Sequence, residues 1–508
     1  MTSETYDLLV VGGGITGAGI ARDASGRGLK VLLVEQDDLA SATSSASSKL
    51  VHGGLRHLER GEIRLAREAL AERDVLLRTA PHIVRPMRFV APHDGMTRPA
   101  WVIRTGLFLY DRLDRAGALP GTESLDLERD PRGRGLKPAL RQAFAYSGAW
   151  VDDARLVVLN AVDAQARGAE IRTRTHALSA RREEGLWTVR LLDRRGGGES
   201  AVRARILVNA AGPWATRVLG ETLGRPVRER PRFAKGSHLV IPRLYDGDHA
   251  FILQTADRRT VYTIPYEGDF TLVGTTDVPF DGDPGDVRIT PEEVIYLRDA
   301  VNRYFTHAVR PTEVVHTFAG LRPLPAGAPD DPTLTGDCRF DVDAGTDAPP
   351  LISVHGGTLT NHRRVAEAAL DRLRPFIYAL QAPWTHGAVL PGGDLPDGNP
   401  GAFTAAFHQA HPWLSPTVAR RWCRLYGTRA AEIVEGAARW ADLGEDFGNG
   451  LTAAELRFLA EREFAATAED VLWRRTKLGL KLPAESARRV AAWFGEAPPA
   501  APSVRAAG

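Results

Sequence analysis

The sequence predicts an α/β chain with a Rossmann-like nucleotide-binding domain, a β-rich α+β domain and a helical carboxy-terminal domain. Three observations carry this prediction. A buried strand, a glycine turn, a helix and a second apolar strand follow one another between Asp7 and Glu35, which is a βαβ unit. The middle of the chain is built of short strand patterns broken by turn residues. After about Pro383 the pattern becomes helical, with Trp, Leu and Arg. Length agrees, since 508 residues exceed what one hydrophobic core ordinarily serves.

In chain order, Asp7 to Val11 reads as a buried strand, about Gly14 to Gly28 as a helix and Lys30 to Glu35 as the second strand. Glu62 to Leu77 is helical, with Ile63, Leu65, Ala69, Leu70 and Leu76 set among charges spaced for i,i+4 pairing, and Pro81 and Pro86 stop it. Trp101 to Leu113 places Ile103, Leu107, Phe108, Leu109 and Tyr110 beside Arg98, Arg104 and Arg112. That pattern fits either a core helix or a segment lying on a membrane surface. Strands follow at Leu186 to Leu192 and Ala204 to Ala210, around a turn at Gly196 to Gly198. More are expected at Ser237 to Ile241, Ala250 to Gln254, Thr260 to Pro265 and Phe270 to Val273, the last two joined by Glu267-Gly268-Asp269. Ala453 to Phe464 and Ala468 to Lys477 read as helices.

These elements divide into a discontinuous nucleotide-binding domain (1–80, 150–235 and 345–382), a β-rich substrate domain (81–149 and 236–344) and a helical domain (383–497). The Ala- and Pro-rich tail, 498–508, lacks aromatic residues and is expected to be disordered.

Charges nearly cancel, 65 Lys and Arg against 63 Asp and Glu, so no global field recruits nucleic acid and any anion site must be local. The two cysteines, Cys338 and Cys423, have no metal-ligand spacing and suit a reducing cytoplasm, and zinc is not expected. Neither a signal peptide nor a stretch of roughly 18 apolar residues is present, so any membrane contact is peripheral.

Gly12, Gly14 and Gly17 form G-x-G-x-x-G between a strand and a helix, the context that marks a dinucleotide-binding turn. The first glycine permits the turn, the second lets backbone N–H groups reach a pyrophosphate, and the third lets helix and strand pack closely. The helix N-terminus favours the negative charge. Glu35, eighteen residues after Gly17, can accept hydrogen bonds from a ribose diol and would repel a 2′-phosphate, which favours FAD or NAD over NADP. The Ser- and Thr-crowded stretch Ser41 to Leu50, containing Lys49 and followed by His52, Gly53 and Gly54, suits a polar loop gripping a diphosphate and ribityl chain. Asn209-Ala210-Ala211-Gly212-Pro213-Trp214 ends another strand, as a flavoprotein requires where it returns to its nucleotide domain. An NAD dehydrogenase is the competing reading, and the single fingerprint speaks against it.

With those motifs in register, the chain resembles the aerobic, respiratory FAD-dependent glycerol-3-phosphate dehydrogenases along nearly its whole length. The likeness includes Ala42 to Lys49, His52 to Arg56, Trp150 to Arg155, Lys235-Gly236-Ser237-His238, Gly274 to Asp277 and Leu321 to Leu324. It continues in Leu390 to Gly393, Asp442 to Gly448 and Trp473 to Thr476. The resemblance implies oxidation of glycerol 3-phosphate to dihydroxyacetone phosphate, with hydride passing to FAD and electrons to a quinone. The cofactor is then expected to meet Gly12, Gly14, Ile15, Thr16, Gly17 and Glu35. Thr43, Ser44, Ser47, Lys49, Leu50, His52, Gly53 and Gly54 would add the serine-rich loop. Ala177, Ala211, Gly212 and Trp214 would add a third segment, and Gly357, Leu359 and Thr360 a fourth. Arg56 and Arg322 occupy the matching motifs for a dianionic phosphate, which guanidinium forks bind well. His238 is the candidate base for the alcohol proton. The resemblance also implies cytoplasmic location with peripheral attachment to the inner face of the cell membrane, and a capping and assembly role for the carboxy-terminal domain, with a homodimer as the expected assembly. Quinone and oxygen stay open as final acceptor.

Three positions depart from the family pattern. Its last glycine motif usually reads Gly-Gly-Lys-Leu-Thr-Thr-Tyr-Arg, where this chain has Gly356-Gly357-Thr358-Leu359-Thr360-Asn361-His362-Arg363. A lysine expected at the substrate is thus Thr358, the aromatic usual before the glycines is His355, and the tyrosine usual after Arg56 is His57. Losing one charge-assisted contact of about 1.5 to 3 kcal/mol weakens phosphate binding roughly ten- to hundredfold. A protonated His57 or His355 beside the phosphate would restore part of it. The alternatives are a changed substrate, another hydroxyalkyl phosphate or a phosphonate, and a flavin protein that has lost catalysis.

Overall fold

The computed structural model describes residues 4–51, 55–59, 61–93, 99–114, 117, 119–227, 232–324, 334–335, 338–345 and 348–496. The side chains of Arg56, Glu59, Leu334 and Thr335 also lie outside the description, as do His52, Gly53, Gly54 and the tail 498–508. The chain forms two compact units, Met1–Thr79 with Val84–Ala388, and Ala80–Ile83 with Val389–Gly508.

The first unit holds two large sheets. The opening apolar run becomes the strand Thr5–Val11, with Leu8, Leu9 and Val10 wholly buried, as a parallel strand covered on both faces requires. It pairs in parallel with Val31–Val34 on one side and Glu199–Asn209 on the other. Leu351–Gly356 and Glu170–Arg172 extend this parallel block. Antiparallel additions are Cys338–Asp343 and the hairpin Thr175–Glu183 with Leu186–Asp193. The first helix, Ile15–Gly26, is shorter at both ends than the sequence suggested. It packs between the helices Asp153–Ala166 and His362–Leu373. The fold is the α/β Rossmann-type arrangement that the sequence predicts, and its parallel strands deliver Val11, Asn209 and Gly356 to one edge.

Strands of the second sheet run, in spatial order, Val278–Phe280, Arg232–Pro242, Phe270–Gly274, Thr260–Tyr266, Ala250–Gln254, Val84–His93, Gln142–Val151 and Leu50–Val51. His316–Leu324 pairs with Arg232–Pro242 along nine residue pairs, Arg232↔Leu324 to Val240↔His316. The helix Pro291–Tyr304, opened by a Thr290/Glu293 capping box, covers this sheet. Its Leu297, Val301 and Tyr304 share a core with Leu239, Phe251 and Val273. Expected strands in this region recur with ends moved by up to a few residues, the largest change being Ser237–Ile241 lengthened to Arg232–Pro242.

The open segment Trp101 to Leu113 is the helix Ala100–Leu113. One face is core, with Leu107, Tyr110 and Leu113 buried, while Trp101, Phe108 and Leu109 are exposed. The core reading thus holds for one face of the helix.

The second unit is mainly helical, with Pro400–Ala410, Pro416–Tyr426, Ala453–Arg462 and Ala484–Trp493 around Trp422, Tyr426, Leu456, Leu459 and Val471. Buried Glu455 is held by Arg421 at 2.6 Å and by the Tyr426 hydroxyl at 2.6 Å. The segment expected as an ordinary helix at Ala468 to Lys477 contains a wide π turn, Asp470–Arg475, closed by Thr476 N–H donating to the Val471 carbonyl at 2.9 Å. Asp470 holds the start by accepting from Ala466 and Thr467 N–H.

Candidate active site

At the carboxyl edge of the parallel strands, Gly12 N–H donates to Val34 O at 2.9 Å and Ala210 N–H to Val11 O at 2.9 Å. The glycine turn and the Ala211–Trp214 segment therefore lie side by side. A Cβ on Gly17 would stand 1.9 Å from the Gly12 carbonyl oxygen, so only glycine lets the helix start this close to its strand. Gly14 caps the helix without any side-chain hydrogen bond, and its first turn carries no acidic residue. This leaves the positive end of the helix available to an anion. Ser44 Oγ accepts from Ile15 N–H at 3.0 Å, bringing the serine-rich loop to the same point. Gly357 closes the group, since a Cβ there would lie 3.7 Å from Thr16 Oγ1.

Glu35 ends beside this turn. Its carboxylate accepts from Gly13 N–H at 2.6 Å and from Asp37 N–H at 2.9 Å. Burial raises its pKa, and these two N–H bonds oppose the rise. Next to it a cavity of about 480 Å³ is lined by Gln36, Asp37, His176, Leu192, Arg194 and Trp214, a size typical of small-molecule sites. Burial lowers the pKa of His176. Ala177 points its side chain into the core, so only its backbone can face a ligand. Turn, carboxylate and cavity together fit a dinucleotide with its pyrophosphate at the helix and a nucleoside beyond Glu35.

The serine-rich loop joins the two sheets. Thr43 Oγ1 donates to Leu321 O at 2.7 Å, on the strand His316–Leu324. Lys49 and Ser47 are committed inside the protein: Lys49 Nζ donates to both Asp153 oxygens at 2.8 Å, and Ser47 Oγ donates to Asp153 at 2.7 Å. This buried pair fixes the loop, so Lys49 is not a free cation. Leu50 is buried in a short strand paired with Trp150. Asp153 lies within Trp150 to Arg155, and the sequence alone does not single it out as a site residue. Its signal was the Asp152-Asp153 pair at a helix start, where Asp152 is the N-cap.

On the second sheet, His238 and Phe318 are direct partners across the strands, and Ala234 faces Arg322. Phe318 and Arg322 are four residues apart on one strand, so both project from the face that carries His238. The backbone separation is roughly 13 Å. His238 is 2 % exposed and stacks on Phe318 with ring centroids 4.8 Å apart. Burial, assisted by the nearby Lys49 charge, pushes its pKa down to about 3, so the imidazole is neutral at physiological pH. The other side chains of Lys235-Gly236-Ser237-His238 anchor the strand. Lys235 pairs with Glu293 at 2.8 Å, and Ser237 Oγ donates to Glu293 at 2.9 Å. Arg322 donates to Asp277 at 2.9 Å, and both side chains remain more than a third exposed.

The three departures are each paired within the chain. His57 meets Glu62 at 2.6 Å, and His355 meets Asp341 at 3.3 Å. Thr358 donates through N–H (2.8 Å) and Oγ1 (3.0 Å) to Asn361 Oδ1. The carboxylates at two of these positions were not anticipated, and they oppose the idea that His57 and His355 replace the missing lysine charge. Leu359 O accepts from His362 Nδ1 at 2.8 Å, and Thr360 is buried. The Arg56 side chain lies outside the described residues, so the two-arginine arrangement is represented by Arg322 alone.

Comparison with known proteins agrees with this geometry. Residues 7–360 match the family model described as "FAD dependent oxidoreductase", and residues 384–497 match the "C-terminal domain of alpha-glycerophosphate oxidase". The chain belongs to the FAD-dependent oxidoreductase family. Glycerol-3-phosphate dehydrogenase of Pseudomonas aeruginosa is 49% identical over 99% of this chain and 98% of that protein. D-erythritol 1-phosphate dehydrogenase of Brucella abortus is 47% identical over 97% of this chain and 98% of that protein. Among solved structures, the glycerol-3-phosphate dehydrogenase from Bacillus halodurans complexed with FAD matches with a TM-score of 0.77 and 28% identity, covering 98% of this chain and 92% of that one. The chain is an FAD-dependent oxidoreductase of the glycerol-3-phosphate dehydrogenase kind.

Proposed function

We propose that this enzyme oxidises sn-glycerol 3-phosphate to dihydroxyacetone phosphate. The observation that carries the reading is a neutral, buried His238 on the same sheet face as the partly exposed Arg322. Bound FAD supplies the acceptor for a hydride. The chain's own residues do the rest. Arg322, with Arg56, holds the phosphate by charge-assisted hydrogen bonds. His238 takes the hydroxyl proton at C2 as the hydride departs. The Gly12–Gly17 turn and the helix N-terminus hold the pyrophosphate, with Glu35 at the ribose. Anaerobic bleaching of the flavin by a panel of phosphorylated alcohols tests the reading. Rapid bleaching by glycerol 3-phosphate is expected. Bleaching by another member with none by glycerol 3-phosphate would overturn it.

A second reading, oxidation of a different hydroxyalkyl phosphate or phosphonate, is favoured by Thr358 and by the carboxylates at His57 and His355. Carboxylates accept hydrogen bonds from hydroxyls and repel phosphate, so a longer polyol phosphate belongs in the same panel.

Electrons then pass to a quinone, which places the enzyme at a membrane surface. No helix among the described residues is long and apolar enough to cross one. Support for surface attachment comes from Trp101, 70 % exposed, and Phe108, 59 % exposed, on a helix that also carries Arg104 and Arg112, the composition of an interfacial helix. Release from membranes by detergent but not by high salt is expected. Release by salt alone would remove the apolar contact from the reading.

A further inference from the structure

We infer that the turn Pro284–Asp286, part of the substrate sheet, closes the adenosine end of the cofactor cavity and is latched there by Arg217 and Asp283. This rests on the placing of a nucleoside beyond Glu35. The cavity next to Glu35 has two further lining residues, Arg217 and Gly285. Arg217 ends the short helix Ala215–Arg217, directly after the segment 211–214. Gly285 arrives from the other sheet, on the connection between the strand Val278–Phe280 and the helix Pro291–Tyr304. That connection, residues 281–290, is longer than the roughly 4–6 residues usual between elements. Its core is turn chemistry: Asp283 Oδ1 accepts from Gly285 N–H at 2.8 Å, and Asp283 O accepts from Asp286 N–H at 2.9 Å.

The turn is tied at two points. Arg217 Nη2 donates to Asp283 Oδ2 at the tip. At the root, Lys235 Nζ donates to the Arg288 carbonyl at 3.1 Å, which fixes the connection to the strand that carries His238. The Arg288 guanidinium stays local, with Nη1 donating to Val287 O at 2.8 Å and to Gly285 O at 3.5 Å. Glu221, the other carboxylate near Arg217, is 3.8 Å away and belongs to the same stretch of chain, so it cannot hold the turn. A second cavity, of about 140 Å³, is lined by Pro213, Thr216, Phe233 and Pro284. Packing therefore contributes little at the tip, and the ion pair does the closing. Its side chains are 45 % and 41 % exposed, so salt screens it and the latch can open. Arg194 and Asp37, another exposed pair on the cavity, join neighbours within the first sheet, and they shape the site without closing it.

The test follows FAD release from the flavin-loaded enzyme, read as the rise in flavin fluorescence after dilution. The variants are Asp283→Asn, Arg217→Met, the two combined, Arg217→Lys, and Glu35→Gln as the reference for the nucleoside site. Asp283→Asn and Arg217→Met are each expected to release FAD about two- to fivefold faster, the worth of an exposed ion pair. The combined variant is expected to be no faster than either alone, because both changes break one contact. Arg217→Lys keeps the charge and is expected to hold FAD as the wild type does. Added salt is expected to speed release from the wild type more than from Asp283→Asn. Unchanged release in Asp283→Asn, or additive effects in the combined variant, with Glu35→Gln still faster, would overturn the latch alone. Unchanged release in Glu35→Gln would overturn the nucleoside placement beneath it.

Discussion

The glycine turn and the His238–Arg322 wall solve different recognition problems in one unit of the chain. The turn works through backbone: Gly17 sits where any Cβ would meet the Gly12 carbonyl, and Gly14 adds no side-chain hydrogen bond at the helix end. The wall works through side chains. Nearly every charge there already has an internal partner: Lys49 has Asp153, Lys235 has Glu293, and Arg322 has Asp277. Backbone recognition has few sequence solutions, whereas a charged side chain can bind a ligand or hold the fold, and partners decide which. Of the cations considered on the wall, Arg322 combines partial exposure with a motif position suited to phosphate.

The largest expected effect breaks the first half of this contrast. Gly17→Ala places a methyl 1.9 Å from a carbonyl oxygen, so the purified variant should lack the flavin absorption bands. Retention of full FAD content would show that the turn relaxes and that its close packing is dispensable. On the wall, Arg322→Ala should lower kcat/KM for the phosphorylated substrate about ten- to hundredfold, the equivalent of one charge-assisted contact, while leaving FAD in place. An equal loss with an unphosphorylated alcohol would mean that Arg322 acts on the fold through Asp277. Thr358→Lys sharpens the same half. It should strengthen glycerol 3-phosphate binding by about tenfold, and an unchanged KM would show that position 358 does not reach the phosphate.

The smallest effect concerns stability and extends the contrast to shielded polar groups. Burial lowers the pKa of His238 to about 3 and those of His249, His316 and His362 to about 4. An unfolded histidine titrates near 6.5. Between about pH 6.5 and 4 the unfolded chain therefore binds protons that the folded chain refuses, and stability falls as pH drops through that window. Asp23, raised to about 6 by burial, opposes this in part. Calorimetry on the flavin-loaded protein should show Tm decreasing from pH 7 to pH 5, and a rising Tm would reverse the assignment.

Much of the fold was legible because its signals are local. Continuous apolar strands, the G-x-G-x-x-G spacing and turn residues in the middle strands predict the Rossmann-like part, the β-rich part and the helical end. Boundaries moved where tertiary pairing extended a pattern, as in Arg232–Pro242, which gains length from its nine partners on His316–Leu324. Phe318 carried no motif signal because its role exists only through cross-strand pairing with His238. Ser48 lies in the Ala42 to Lys49 stretch, yet the five serines from Ser41 to Ser48 look alike until one of them meets His238.

By itself the sequence determined the cofactor: a phosphate-binding turn and an acidic strand end within the first 35 residues are contiguous, and their chemistry is mostly backbone. Tertiary structure decided which charges are spent and which are left. Asp153, Glu293, Asp277, Glu62 and Asp341 come from distant or intervening segments, and only folding brings them within reach of the cations and histidines they hold. A residue's type states what it can do, while its partners, at distances of a few ångströms across the fold, determine what it is free to do.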